Sequence, residues 1–456
     1  MSPLPLQTEA EGKAQERAAA AGPARELPPA VRWTLPQRIA LRFLVAYSAL
    51  FLVTDRLIGF LPFSDFFTRK YAAFWLAVVT WVGRHLLHTR YEIYLLEGGE
   101  GISNTAYGSI LFLCYMALAA VAAALWSVLD RQRDHYERLH QWLRLLLRAS
   151  LALAMISYGI LKALPTQMIA PPPLSVLLQR VGSLTPMRML WIFIGSSPAY
   201  ESFTGCAELL GGLLLLVPRT TLLGALLCAA DMLMVVTLNF CYDVHVKLYS
   251  LHLLFMALVL LAPDLPRLAD LFLFDRRVEP AVVPPLFVRP GRNRIPQLLL
   301  LLLGLYAIGT TWTETRARYR QFHPPRPPFY GAWSVEEFAV DGKEVPLFTD
   351  PERWRWVMFQ QPRALTVELM IGARRGYSLA LDRQDRRMKL GPPRPVAGAP
   401  PAVPGPPAEF SFTTPESDLL ILEGRMAGHP THAKLRRMPL LATGFHWIFD
   451  PPKEDR

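Results

Sequence analysis

Long apolar runs dominate the first 313 residues of the chain, and short alternating runs dominate the rest. Seven stretches, 38–61, 105–129, 147–165, 202–217, 220–241, 247–262 and 296–313, reach about 16–25 apolar-rich residues each. That length suits a tilted helix crossing a hydrocarbon core about 30 Å thick. The segment 71–88 is aromatic-rich and mixed in polarity, and it reads either as a further crossing or as a helix lying in the membrane interface.

After Thr313 the period changes. Gly331-x-Trp333 is followed by Asp341-Gly342, a two-residue hairpin signal. The segments 365–371, 377–382, 410–412, 419–423 and 445–448 alternate apolar and polar positions with turns between them, predicting a small antiparallel barrel or sandwich. Residues 391–407 hold eight prolines and are expected as a long loop, because proline cannot serve a central strand. The expected fold class is mainly α: a polytopic membrane helix bundle of about seven spans with a C-terminal β-rich soluble domain.

Composition agrees with a membrane class. The 456 residues are 52% hydrophobic, with a mean hydropathy of +0.23. The net charge of +11 does not point to nucleic acid, because the arginines cluster beside the apolar runs, as topology signals and contacts for anionic lipid do. Arg131, Arg133, Arg138, Arg144 and Arg148 fall in 130–148, and Arg267, Arg276, Arg277, Arg289, Arg292 and Arg294 fall in 264–294. Placing both groups and the tail with Arg25, Arg32 and Arg38 together in the cytoplasm requires that 71–88 does not cross, which gives seven spans, the amino terminus inside and the carboxy terminus outside, in the plasma (inner) membrane. Arg316, Arg318, Arg320 and Arg326 resist this by following the last span on the outer side. An eight-span arrangement, with 71–88 crossing and the amino terminus outside, stays open.

The candidate chemistry lies between residues 158 and 252. Ionisable groups at membrane depth cost about 2.5–3.5 kcal/mol each on insertion scales, so they usually serve a purpose. Lys162 and Gln167 flank Pro165 at one span end, and Glu208 lies within Gly205-Cys-Ala-Glu208-Leu-Leu-Gly211-Gly212, where small residues admit a neighbouring helix. Glu208 needs a cation, a proton or a ligand, with Lys162 or Lys247 as its natural partner. Asn239, Asp243, His245 and Lys247 form the following turn, with His252 below it, and Asp231 stands mid-span as a proton relay or an inter-helix hydrogen-bonding group. The proton-handling candidates are Glu208, His252 and Asp243, and the ligand-binding candidates are Tyr158, Lys162, Gln167, Asn239 and Lys247. Histidine pairs such as His85 and His88 lack a carboxylate at second-shell spacing, so no metal is expected. Cys114, Cys206, Cys228 and Cys241 form no C-x-x-C pair and read as small apolar packers. There is no P-loop, Rossmann fingerprint, G-x-S-x-G or H-E-x-x-H motif.

Residues 145–275 resemble the DoxX-like membrane protein family through Tyr158-Gly159-x-x-Lys162-x-x-Pro165-x-Gln167 and Phe203-x-Gly205-x-x-Glu208-x-x-x-Gly212-x-Leu-Leu. The resemblance implies a four-helix bundle. It also implies a link to quinone-coupled oxidation of sulfur compounds or to membrane oxidoreductase complexes. The upstream part is similar to the larger multi-span family that includes vitamin-K-dependent carboxylase-like proteins, and no residue is carried over from it. Gly331-x-Trp333 is similar to the first strand of lipocalin-like barrels. The expected organisation is a disordered tail at 1–36, N-terminal membrane segments with an interfacial helix at 37–144, and the four-helix core at 145–275. A linker and last span follow at 276–313, then an extracytoplasmic β-rich domain at 314–456. The function expected is support of quinone-linked electron and proton transfer, with the bilayer and an outer redox protein as partners and a quinone as the carrier. The alternatives are a non-enzymatic anchor or assembly subunit for such a partner and a small-molecule transporter.

Overall fold

The computed structural model describes residues 33–53, 56–60, 64–94, 103–168, 172–280, 285–287, 289–347, 350–391, 403–404 and 406–440. The tail before residue 33, the segment 445–448 and most of the proline-rich stretch 391–407 lie outside the described residues. The helices are α1 (Leu35–Phe51), α2 (Arg56–Gly59), α3 (Ser64–His85), α4 (Ala106–Leu129), α5 (Glu137–Ala163) and α6 (Leu174–Leu177), then α7 (Pro186–Gly195), α8 (Pro198–Leu216), α9 (Thr221–Cys241), α10 (Lys247–Leu261), α11 (Leu265–Phe272) and α12 (Arg294–Phe322). Several starts carry their cause in the sequence. Thr105 accepts from the Gly108 N–H at 3.1 Å, and Thr185 and Ser197 cap α7 and α8, each with proline in the first turn.

Among the described residues five stretches are long and apolar enough to cross a membrane: Ala106–Leu129, Glu137–Ala163, Pro218–Cys241, Lys247–Phe272 and Gly291–Phe322. The other two expected spans do not reach that standard. The 38–61 run is interrupted, with α1 ending at Phe51 after 17 residues. The 202–217 run belongs to the 19-residue α8, whose Glu201 and Glu208 lower its hydropathy. Residues 71–85 of the 71–88 segment fall in α3, 22 residues long, which buries Trp75 against Tyr115 with ring centroids 4.8 Å apart while Phe74 and Trp81 stay exposed.

Helix α5 is the hub. It is buried at every position from Leu147 to Ser157, whereas α4 and α12 turn Leu113, Leu118, Leu125, Leu298, Leu302 and Leu305 outward. Its tightest neighbour is α8, and glycines set the separation. A Cβ on Gly205 would stand 2.2 Å from the Ala163 nitrogen, and one on Gly159 would stand 2.5 Å from the Leu209 nitrogen. Small residues let the two backbones touch in this way.

The C-terminal domain is an antiparallel barrel of eight strands: β1 (Gly331–Val340), β3 (Trp354–Gln361), β4 (Ala364–Leu369), β5 (Arg374–Asp382), β6 (Arg387–Gly391), β8 (Ala408–Glu416), β9 (Leu419–Met426) and β10 (His429–Arg437). Two short pieces, β2 (Lys343–Glu344) and β7 (Val403–Pro404), pair with β1 and β5. Successive strands neighbour one another, and β1 closes on β10 from Trp333↔Arg437 to Val340↔Thr431, so the sheet keeps no open edge along this path. Of the two expected β architectures, the barrel is the one formed. Its interior is filled by side chains such as Trp333, Trp354, Phe359, Tyr377 and Phe410. The period-two pattern is plainest in β8, where Ala408, Phe410 and Phe412 are buried and the residues between them exposed.

The barrel sits on the bundle end that follows α5. Leu174 and Leu178 pack with Ala332 and Met358. The Leu174 N–H donates to Gln360 Oε1 at 3.1 Å, and Arg374 Nη2 donates to the Ser175 carbonyl at 2.8 Å while its Nε donates to Glu368 Oε2 at 2.9 Å. On β4, which is buried at all its positions, Glu368 is covered by the Arg374 side chain that reaches Ser175.

The α5–α8 contact makes a direct prediction. Gly205→Ala drives a methyl group into the α5 backbone and lowers the thermal midpoint of the detergent-solubilised protein by several degrees. Gly309→Ala, which meets nothing within 4 Å on α12, leaves the midpoint unchanged or raises it through the roughly 0.5–1 kcal/mol helical advantage of alanine.

Candidate functional site

The close approach of α5 and α8 brings Lys162, in the last turn of α5, against Glu208 in the middle of α8. Lys162 Nζ donates to Glu208 Oε1 in a buried ion pair, with Glu208 only 1% exposed. One bond leaves the second carboxylate oxygen unsatisfied. Among the described residues Glu208 Oε2 has no hydrogen-bond partner, and neither do Asp231 Oδ2, Gln167 Oε1 and Glu201 Oε2.

Three of these acceptors, on Glu208, Asp231 and Gln167, line a cavity of about 320 Å³ among α5, α7, α8, α9 and α10, whereas Glu201 does not line it. Tyr158, Leu190, Trp191, Tyr249 and Leu253 form much of its wall. Lys162, Glu208, Asp231, Asn239, Ser250 and Gln167 supply polar atoms, and His245, exposed in the turn after α9, also lines it. Asn239 Nδ2 donates to Ser250 Oγ at 3.0 Å, which fixes that amide. Among the described residues Lys162 is the sole Lys or Arg lining the cavity, against the carboxyls of Glu208 and Asp231. The chemistry offered is therefore acceptor-rich inside an aromatic and aliphatic wall.

The structure divides the residues selected from the sequence. Tyr158, Lys162, Gln167, Glu208 and Asn239 come together around the cavity. Asp243 and Lys247 do not line it. They form their own ion pair one helical turn apart, with the Asp243 side chain 77% exposed and its backbone at φ 52°. The Lys247 N–H is also taken, by Asn104 Oδ1 at 3.2 Å. His252 lies outside the cavity too. Its Nδ1 donates to the Leu248 carbonyl at 2.6 Å, its Nε2 accepts from the Tyr47 hydroxyl, and its ring stacks on Phe51 at 4.8 Å. Of the two partners expected for Glu208, Lys162 is the one in contact. Among the described residues no group of three or more His, Cys, Asp or Glu is placed to hold a metal ion.

Glu201 was not selected from the sequence. It is fully buried, and its Oε1 accepts from the N–H groups of Gln167 at 3.1 Å and Met168 at 3.0 Å, holding the turn after α5 against the start of α8. Its spacing of seven from Glu208 places both carboxylates on one face of α8, a signal present in the sequence.

No family model matches the chain, and no solved structure matches it. Over 106 residues the chain is 34% identical to the uncharacterized protein YwoB of Bacillus subtilis (strain 168), a match covering 21% of this chain and 69% of that protein. The chain belongs to the family of YwoB, whose name assigns no activity.

The buried pair has a testable energetic signature. Glu208→Gln leaves the Lys162 ammonium without its contacting counter-charge and destabilises the protein by about 3 kcal/mol. The double change Lys162→Met with Glu208→Leu recovers most of that loss, because it removes both charges together. Thermal unfolding of the two variants in one detergent reads the difference. A double variant less stable than Glu208→Gln would contradict the pairing.

Proposed function

We propose that this YwoB-family member is an integral membrane protein of DoxX-like type whose cavity binds a lipophilic carrier of the quinone class and exchanges protons with it, in support of a membrane redox reaction. The observation that carries this reading is the cavity itself: aromatic and aliphatic walls suited to a ring, closed at one side by carboxylate and amide oxygens that lack donors. A ring hydroxyl supplies the missing donor. Glu208 and Asp231 accept from the reduced, hydroxyl-bearing form and take its protons, while Lys162 holds Glu208 in place. Lys162 is engaged by Glu208 and Lys247 by Asp243, so these two ammonium groups are already committed to carboxylates.

The membrane setting is supported by the five long apolar helices and by leucines exposed along α4 and α12, a surface that only lipid or protein would cover. The arginine distribution supports a cytoplasmic position for the end bearing Arg144 and Arg148, in the cell membrane, with the barrel on the outer side. The electrons pass to a redox partner on that side. The resemblance of 145–275 to DoxX-like proteins supports the quinone class in particular.

A second reading, an assembly or anchoring subunit, is favoured by one observation. The barrel interior is packed with side chains, so that domain serves by its outer surface.

Calorimetric titration of the purified protein with a short-tailed quinol analogue distinguishes the readings. Binding is expected, Asp231→Asn should weaken it about tenfold, equivalent to about 1.4 kcal/mol, and His252→Gln should leave it within about twofold because that ring lies outside the cavity. Absence of binding by both quinol and quinone would remove the carrier reading and leave the assembly role.

A further inference from the structure

The opposite end of α5 carries the reverse imbalance of charge. Arg148 lies 14 residues before Lys162, roughly 21 Å along the helix at 1.5 Å per residue. A second cavity, of about 350 Å³, opens there between α5, the start of α12 and the turn entering α9, and both Arg144 and Arg148 line it.

Arg148 is 7% exposed. Its Nε donates to the Leu215 carbonyl at 2.5 Å, and its Nη2 donates to the Leu216 carbonyl at 2.9 Å and to Gln297 Oε1 at 3.0 Å. These bonds hold the end of α8, but every acceptor is neutral. Arg144 makes one longer bond, from Nη2 to the Leu260 carbonyl at 3.3 Å. Among the described residues neither guanidinium has a carboxylate within ion-pair distance. The acid that reaches Arg144 electrostatically, Asp264, is already paired with Arg267. Two guanidinium groups thus share a partly apolar cavity without a counter-charge, an arrangement that is costly unless an anion completes it.

The surroundings narrow the class of anion. Arg219, Arg292 and Arg294 are exposed nearby and carry no described ion pair, and Leu145 and Leu286 give the cavity an apolar wall. The lipid-suited face of α12, with Leu298, Leu299 and Leu302 exposed, begins beside Gln297. Guanidinium matches phosphate oxygens in a two-pronged geometry, and basic pockets between membrane helices take phospholipid headgroups.

We infer that the Arg144–Arg148 cavity is a binding site for a phosphate ester, the headgroup of an acidic phospholipid. Arg144, with most of its donors uncommitted, grips the phosphate, and Arg148 supplies fixed positive charge while tying α8 to α5 and α12. The site is independent of the carrier cavity and stands whether or not a quinone binds.

Native mass spectrometry of the full-length, delipidated protein tests this with phosphatidylglycerol, phosphatidylcholine and, separately, inorganic phosphate. One phosphatidylglycerol should be retained with about tenfold preference over phosphatidylcholine. Arg144→Gln should remove most of that preference with the protein still folded, since a single long hydrogen bond is lost. Arg131→Gln, an exposed loop arginine at the same end of the bundle, should leave it within about twofold. Competition by inorganic phosphate at millimolar concentration, with loss in Arg144→Gln, would support the same site with a free phosphate as its source. Equal retention of the two lipids with no effect of phosphate, or equal losses in Arg131→Gln and Arg144→Gln, would overturn the inference.

Discussion

A single buried ion pair, Lys162 with Glu208, organises the helical half of this protein. Neither charge is tolerable alone in an apolar bundle, so α5 and α8 must lie close enough for the two side chains to meet. Backbone approach at Gly159 and Gly205 provides that separation, since any side chain there would collide with the opposing helix. The same approach brings Glu201 onto the turn after α5, where it accepts from two backbone N–H groups. The cavity is a consequence: once α5 and α8 are locked, α7, α9 and α10 close around Lys162 and Glu208 without filling the space between them.

The pair also explains why the cavity favours hydrogen-bond donors. A monodentate contact occupies one carboxylate oxygen and leaves the other free, and Asp231 adds a further acceptor from α9. The bundle is therefore polarised along α5, with unsatisfied acceptors near its C-terminal end and uncompensated guanidinium groups near its N-terminal end. A ligand of opposite character at each end is what that distribution asks for.

Much of this was legible in the chain. The apolar runs at 105–129 and 220–241 needed only length, and the alternation at 410–412 marked a strand with one buried face. Lys162 and Glu208 stood out because charge inside an apolar run is rare. Other features were hidden for physical reasons. Asp243 and Lys247 lie four residues apart, a spacing that permits a local pair, and that pair withdraws both from the cavity. His252 shares the depth of the other polar groups but points toward α1, a direction set by packing with Tyr47 and Phe51 that no single-helix periodicity encodes. Closure of the barrel rests on β1 meeting β10, a contact between residues about a hundred positions apart, so alternation alone left barrel and sandwich open. Glu201 was passed over because an acidic residue in the first turn of a helix is ordinarily a solvated, dipole-complementing position.

Contact between Lys162 and Glu208 inside the helical bundle is the feature on which the rest depends. Solid-state NMR of the protein in lipid bilayers, with ¹⁵N-labelled lysine and ¹³C-labelled glutamate, measures that contact directly. The predicted result is a strong through-space transfer from the Lys162 Nζ to the Glu208 carboxyl carbon, abolished in Glu208→Gln. A Lys162 ammonium that shows no such transfer and exchanges with bulk water like a surface lysine would contradict it.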